Sequence, residues 1–247
     1  MVDEAILQYE AEEADVARKS VLEIGAGDGR LTSRLLKCNA GHVVAVEFDP
    51  KLAKLLRQKF AGAKRVKVHE GDFLEFDETA RFNVIVGNIP YYITSPILLK
   101  LSRMDFGKAI LCVQKEVAER MAAPSGSGNY GRLSVSCQLA FNVEILALVP
   151  RIAFSPVPKV DSCIVSLEKT GARLGEREER AIGALFSHKK KSVKNAVVDA
   201  RMELFKSKSK EAALAVAQTL KYSERKVFTL SPSEAYEVAE QVSGKMV

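Results

Sequence analysis

The sequence has 247 residues, 47% of them hydrophobic and 28% charged, with a net charge of +6. That is the balance of a folded chain long enough to bury its own core. Its longest apolar runs, "HVVAVEF" and "VEILALVP", are far short of a membrane span, and its acidic start, "MVDEAILQYEAEEADVARKS", is unlike a secretory leader.

In chain order, residues 3–18 carry helical spacing through Ile6, Leu7, Ala11, Ala14 and Val16. "SVLEIGAG" reads as a buried strand running into a glycine-rich turn, and "GRLTSRLLKCN" as a helix. "GHVVAVEFD" and "PKLAKLLRQKFAG" repeat the strand-helix pattern, followed by strands at "RVKVHEGD" and "FNVIVGN". "SPILLKLSRM" is helical, "KAILCVQK" a fifth strand and "EVAERMAA" a helix that breaks at "PSGSGNYG". "RLSVSCQLAFN" looks helical, while "VEILALVP" and "DSCIVSLEK" read as an antiparallel edge.

Short apolar strands alternating with helices predict an α/β fold, a mostly parallel sheet covered on both faces. Beyond "TGARLGERE" no strand signal recurs and the chain is helical and Lys-rich. One domain is therefore expected over 1–170 and a small all-helical one over 171–247. A cytoplasmic location is expected. Cys38, Cys112, Cys137 and Cys163 lie apart, with no Cys-x-x-Cys pair or nearby His cluster, so no metal site is expected.

Four consecutive strand ends present polar groups. "EIGAGDGR" supplies Glu23, Gly25, Gly27 and Gly29; Glu47 stands 22 positions after Gly25; Asp72 opens "DFLEFD"; and Asn88 ends the fourth strand. In open α/β sheets ligands bind outside the carboxyl ends of the strands. An acid at the position of Glu47 typically accepts from ribose hydroxyls. Asp72 suits an adenine amino group, with Phe73 packing on the ring. The third glycine spacing departs from the dinucleotide fingerprint, and Glu23 suits an amine-bearing cofactor better than a pyrophosphate. Any one of these acids could instead cap a helix. The set resembles that of the S-adenosylmethionine-dependent methyltransferases with a Rossmann-like sheet, over residues 20 to about 168.

Asn88-Ile89-Pro90-Tyr91 resembles the motif of methylases that act on exocyclic amino groups, mainly adenine N6. The adenine N6 lone pair is delocalised into the ring. The Asn88 side-chain oxygen and the Ile89 carbonyl can both accept from that amino group and turn its lone pair toward a methyl donor. Pro90 pre-sets the turn, and Tyr91 offers a stacking face for a flipped base, worth about 1–3 kcal/mol. A plain Pro turn with two packed tyrosines is the alternative; Tyr92, without a catalytic role, is assigned to core packing.

With its flanks "GNIPYYITSPILLKL", "QKEVAERMAAPSGSGNYGRLSV" and "AFSPVPKVDSCIVSL", the chain resembles the ribosomal RNA small-subunit adenine N6,N6-dimethyltransferase family. The "YYITSPI" wording and short basic tail are similar to its archaeal branch. The resemblance implies dimethylation of two adjacent adenosines near the 3′ end of small-subunit ribosomal RNA, S-adenosylmethionine as cofactor and S-adenosylhomocysteine as product. It also implies a pre-assembled ribosomal particle as partner, in ribosome biogenesis, and nothing in it demands more than a monomer. It assigns Gly25, Gly27, Glu47, Asp72 and Asn88 to the cofactor, beside Glu23 and Phe73, which are placed there by their own chemistry. Asn88, Ile89, Pro90 and Tyr91 go to catalysis, with Tyr91 and Phe154 on the target base; a core role for Phe154 stays open. "FSHKKKSVKNAV" resembles the family's basic helix, so Lys189, Lys190, Lys191 and Lys194 are candidate phosphate contacts, or else a solvated face.

The family usually carries a Gly-Gln-x-Phe-Leu segment that folds over the cofactor. This sequence begins where that segment ends, which predicts weakened cofactor binding and a disordered pocket. Two other readings stand beside the leading one: an adenine N6 methylase of DNA or large-subunit RNA, and an assembly factor acting mainly by binding. A nicotinamide oxidoreductase fails on glycine spacing and on the lack of a catalytic pair.

Overall fold

The computed structural model describes residues 1–77, 81–172, 174–206 and 209–245, the Tyr91 side chain excepted. Two compact units are present, one of residues 1–118 and 142–169, the other of residues 119–141 and 170–247.

In the first unit, α1 (Glu4–Glu13) is capped by Asp3, whose carboxylate accepts the backbone N–H groups of Ala5 and Ile6. The helix stops short of the predicted residue 18 because Asp15 and Arg18 take left-handed backbone angles (φ 45° and 61°). Alternating elements follow: β1 (Ser20–Ile24), α2 (Arg30–Lys37), β2 (His42–Glu47), α3 (Pro50–Lys59), β3 (Val66–Glu70) and β4 (Phe82–Asn88). Then come α4 (Thr94–Arg103), β5 (Phe106–Gln114), α5 (Lys115–Met121), β6 (Phe141–Val149) and β7 (Ser162–Lys169), with α6 (Arg132–Ala140), between α5 and β6 in the chain, falling in the second unit.

Among the described residues seven strands form one sheet in the order β3-β2-β1-β4-β5-β7-β6. The first five are parallel, and β7 pairs antiparallel with β5. The predicted parallel sheet with an antiparallel edge is therefore present. Its inner strands β1, β2 and β4 are nearly continuous buried apolar runs, as expected where both faces of a sheet are covered. β1 and β4 are neighbours, with Ile24 opposite Gly87. Chain order reverses at that pair, and such a switch point opens a crevice at the strand ends. Gly87 is the one residue type that fits there, since a Cβ would stand 2.6 Å from the Ile24 carbonyl oxygen. A second close approach is at Gly29 (φ 75°), where a Cβ would meet Leu56 and Phe60 at 2.7 Å.

The second unit contains α6 together with α7 (Glu176–Ser187), α8 (Val193–Asp199), α9 (Arg201–Phe205), α10 (Lys210–Gln218) and α11 (Pro232–Ser243). Among the described residues beyond 170 the regular elements are helical, with one isolated bridge between Ser192 and Lys226. Residues 119–141, placed by the sequence pattern with the sheet, belong instead to this unit. Tyr130 explains part of the difference: it is fully buried in the second core, meets the Phe186 ring edge-on and donates its hydroxyl to the Leu230 carbonyl (2.8 Å).

Candidate active site

The glycine turn after β1 holds Gly25 and Gly27 at φ 69° and 58°, angles that favour glycine. This folds the turn back so that the Gly27 N–H donates to Glu47 Oε2 (2.7 Å). The Asp49 N–H donates to Glu47 Oε1 (2.9 Å), so backbone donors hold both oxygens of the β2-terminal carboxylate. A carboxylate has about four acceptor positions, and two are left for hydroxyl donors. Asp49 in turn caps α3 through Lys51 N–H. Asp72 Oδ1 accepts the Leu74 N–H (2.8 Å), which shapes the turn after β3.

That turn is closed by a residue the sequence analysis missed. The Lys100 ammonium donates to the backbone carbonyls of Phe73 (2.7 Å), Leu74 (3.0 Å) and Phe76, and lies 5.0 Å from the Phe73 ring centroid. Partial burial lowers the Lys100 pKa.

These elements enclose a cavity of about 390 Å³ walled by Gly25, Glu47, Asp72, Phe73 and Asn88 from the predicted set. Phe48, Asp49, Pro90, Tyr92 and Ile93 complete much of the wall. Tyr92 is 84% exposed, which overturns its assignment to core packing; it is the second residue of a 3₁₀ turn (Tyr91–Ile93) and lines the cavity. Phe48, 71% exposed, is a second aromatic that the sequence reading passed over.

Glu23 does not face this cavity. It is buried, accepts the Thr32 hydroxyl from α2 (2.6 Å), and burial pushes its pKa up to about 8. The contact the structure gives its carboxyl is thus an internal one, to α2. Gly27 likewise serves through its N–H on Glu47 and does not line the cavity.

A second cavity of about 250 Å³ lies against the same turn, lined by Asn88, Ile89, Pro90, Cys112 and Phe154 among others. Phe154 both packs on the core of this unit and faces the cavity, so its two readings coexist. The Ile89 N–H is bound to the Cys112 carbonyl (3.0 Å), and Pro90 receives Ile93 N–H (3.2 Å), which together hold the turn rigid. The Tyr91 stacking role lies outside the described residues. Asn88 and Pro90 are common to both cavities. Asn88 Oδ1 is buried and has no hydrogen-bond partner, while its Nδ2 donates to Glu10 Oε2 of α1 (3.4 Å).

The four candidate lysines lie around the α7–α8 turn of the second unit. Lys189 is spent internally on the carbonyls of Gly128 (3.0 Å) and Tyr130 (2.8 Å). Lys191 pairs with Asp199, and Lys194 with Glu224 (2.6 Å); Lys190 is exposed. Among the described residues there is no cluster of three or more groups able to hold a metal ion, and no helix long and apolar enough to cross a membrane.

A sheet with this strand order, acids at successive strand ends and an Asn-Ile-Pro-Tyr turn shared by two cavities define a Rossmann-like methyltransferase. The chain belongs to the ribosomal RNA adenine dimethylase family, whose pattern matches residues 1–231. It is 43% identical over 206 residues to a probable ribosomal RNA small subunit methyltransferase A of Methanopyrus kandleri, covering 80% of this chain and 73% of the relative. The protein of the same name from Thermococcus onnurineus is 39% identical over 241 residues, covering 96% and 88%. Among solved structures, a dimethyladenosine transferase from Plasmodium falciparum matches with a TM-score of 0.82 at 30% identity, over 96% of this chain and 94% of that one. The 23S rRNA methyltransferase ErmE matches with a TM-score of 0.67 at 30% identity, over 97% and 98%. The chain is thus an enzyme of the adenine-dimethylating methyltransferases.

Proposed function

We propose that the chain dimethylates N6 of two adjacent adenosines near the 3′ end of small-subunit ribosomal RNA, using S-adenosylmethionine and working as a monomer on a pre-assembled particle. The observation that carries this reading is Asn88, set between two cavities with an unpartnered oxygen. The larger cavity fits the cofactor: Glu47, already held by two backbone donors, keeps acceptor positions for ribose hydroxyls, and Asp72 with Phe73 suits an adenine. When bound there, S-adenosylmethionine supplies a methyl group on a sulfonium, an electrophile strong enough for a neutral amine.

The residues then have these roles. Asn88 Oδ1 and the Ile89 carbonyl accept from the target amino group and aim its lone pair at the first cavity. Pro90 fixes that carbonyl's direction, and Phe154 lies against the base in the second cavity. No strong general base is required, because the amino proton becomes acidic only as the new N–C bond forms. Lys190, Lys191 and Lys194 of the second unit contact RNA phosphates, their surface ion pairs being weak enough to exchange; binding then weakens steeply with salt. A ribosomal substrate places the enzyme in the cytoplasm.

The test supplies immature, unmethylated small subunits with radiolabelled S-adenosylmethionine. Label is expected in dimethyladenosine of the small-subunit RNA. Asn88→Ala should lower transfer by about 10²-fold or more, the scale for losing one preorganised polar contact to a reacting group. Transfer to naked duplex DNA, with none to subunits, would sink the proposal. Label in large-subunit RNA would favour the ErmE-like alternative.

A further inference from the structure

We propose that Glu10 is a positioning residue for methyl transfer: its carboxyl accepts the Asn88 amide N–H and so decides which end of that amide meets the target base. The inference rests on the reading of Asn88 given above.

Leu7, Glu10 and Ala11 form the buried stripe of α1, at the i, i+3, i+4 spacing of a core-facing helix. A carboxyl in that stripe is out of keeping with its surroundings. Glu10 is fully buried, and desolvation together with the nearby Glu23 charge raises its pKa to about 8. Burying such a group costs folding free energy unless it is fully hydrogen-bonded, and Glu10 Oε1 has no partner. Folding would be served as well or better by an apolar side chain of the same volume.

What Glu10 does have is Asn88. Among the described residues it is the sole hydrogen-bond partner of the Asn88 amide. An amide has one donor end and one acceptor end of nearly equal shape, and packing alone hardly distinguishes them. With Glu10 Oε2 accepting from Nδ2, the amide leaves Oδ1 for the substrate, and the ionised carboxyl, which has no donor of its own, holds that orientation most firmly. Flipped by 180°, it would oppose an N–H donor to the target's own N–H.

The test compares the full chain with Glu10→Met and Glu10→Gln, measuring denaturation midpoint, S-adenosylmethionine affinity and single-turnover transfer to unmethylated small subunits. Glu10→Met is expected to keep or raise the midpoint and leave cofactor affinity within about threefold, yet slow transfer about 10- to 100-fold, one to two decades of orientation preference. Glu10→Gln, which retains an acceptor oxygen, is expected to recover most of the rate. A purely structural role would move midpoint and rate downward together. Glu10→Met at the wild-type rate, or Glu10→Gln as slow as Glu10→Met, overturns the inference alone. An inactive wild type overturns the functional reading and this inference with it.

Discussion

Replacing Lys100 by Met removes the clamp on the turn that forms one wall of the larger cavity. The ammonium serves three carbonyls, of Phe73, Leu74 and Phe76, and overlies the Phe73 ring. Hydrogen bonds from a charged donor are each worth about 1.5–3 kcal/mol when made. They do not simply add here, because the carbonyls are part-exposed and can turn to water. The ammonium itself gives up hydration, as its lowered pKa shows. A net loss of about 1–2 kcal/mol for the closed turn is the reasonable scale. If the turn must close before Asp72 and Phe73 can engage the cofactor, apparent affinity falls by the fraction of closed turn. That corresponds to about 5- to 30-fold weaker binding. Titration calorimetry with S-adenosylmethionine measures it directly, beside a thermal melt. Affinity within twofold of wild type would refute the clamp argument, and a large drop in melting temperature with unchanged affinity would assign Lys100 to the fold alone.

Other outcomes follow from the same geometry. Burial raises the pKa of Glu23 to about 8 from 4.5, so the folded state holds this proton more tightly than the unfolded one. Its contribution to stability is full below about pH 4.5 and is lost as pH rises toward 8. Denaturation midpoints of Glu23→Gln against wild type should therefore diverge across that window in favour of the variant at high pH; parallel curves would contradict this. Gly87→Ala puts a Cβ 2.6 Å from the Ile24 carbonyl oxygen, and should cost about 1–3 kcal/mol in denaturant titration while displacing Asn88 next to it; a midpoint equal to wild type would show that β1 and β4 can separate freely. Lys189→Met frees the carbonyls of Gly128 and Tyr130, so faster hydrogen exchange in residues 124–131 is expected, with a smaller loss of RNA affinity than Lys190→Met. The reverse order of RNA affinities would return Lys189 to the phosphate-contacting set.

Much of the wall of the larger cavity was legible in the sequence. Gly25, Glu47, Asp72 and Asn88 could be placed at one edge because parallel β-α units all run the same way, so the residue after each strand reaches the same side of the sheet. The motif at 88–91 suggested its proposed chemistry by residue type alone: an amide acceptor, a fixed turn and an aromatic. These signals are local, resting on apolar period, turn residues and the fixed angles of Pro and Gly.

The tertiary structure decided what depends on which distant side chains meet. Glu23 and Thr32 are nine positions apart but join only because α2 packs on β1. Lys100 reaches the 73–76 turn from α4, and Glu10 meets Asn88 from 78 positions away. Tyr92, in the 3₁₀ turn after β4, is exposed, and residues 119–141 join the second unit, where Tyr130 is buried. A buried polar group takes its meaning from its partner, and partners are chosen by the packing of whole elements, which no short window of sequence contains.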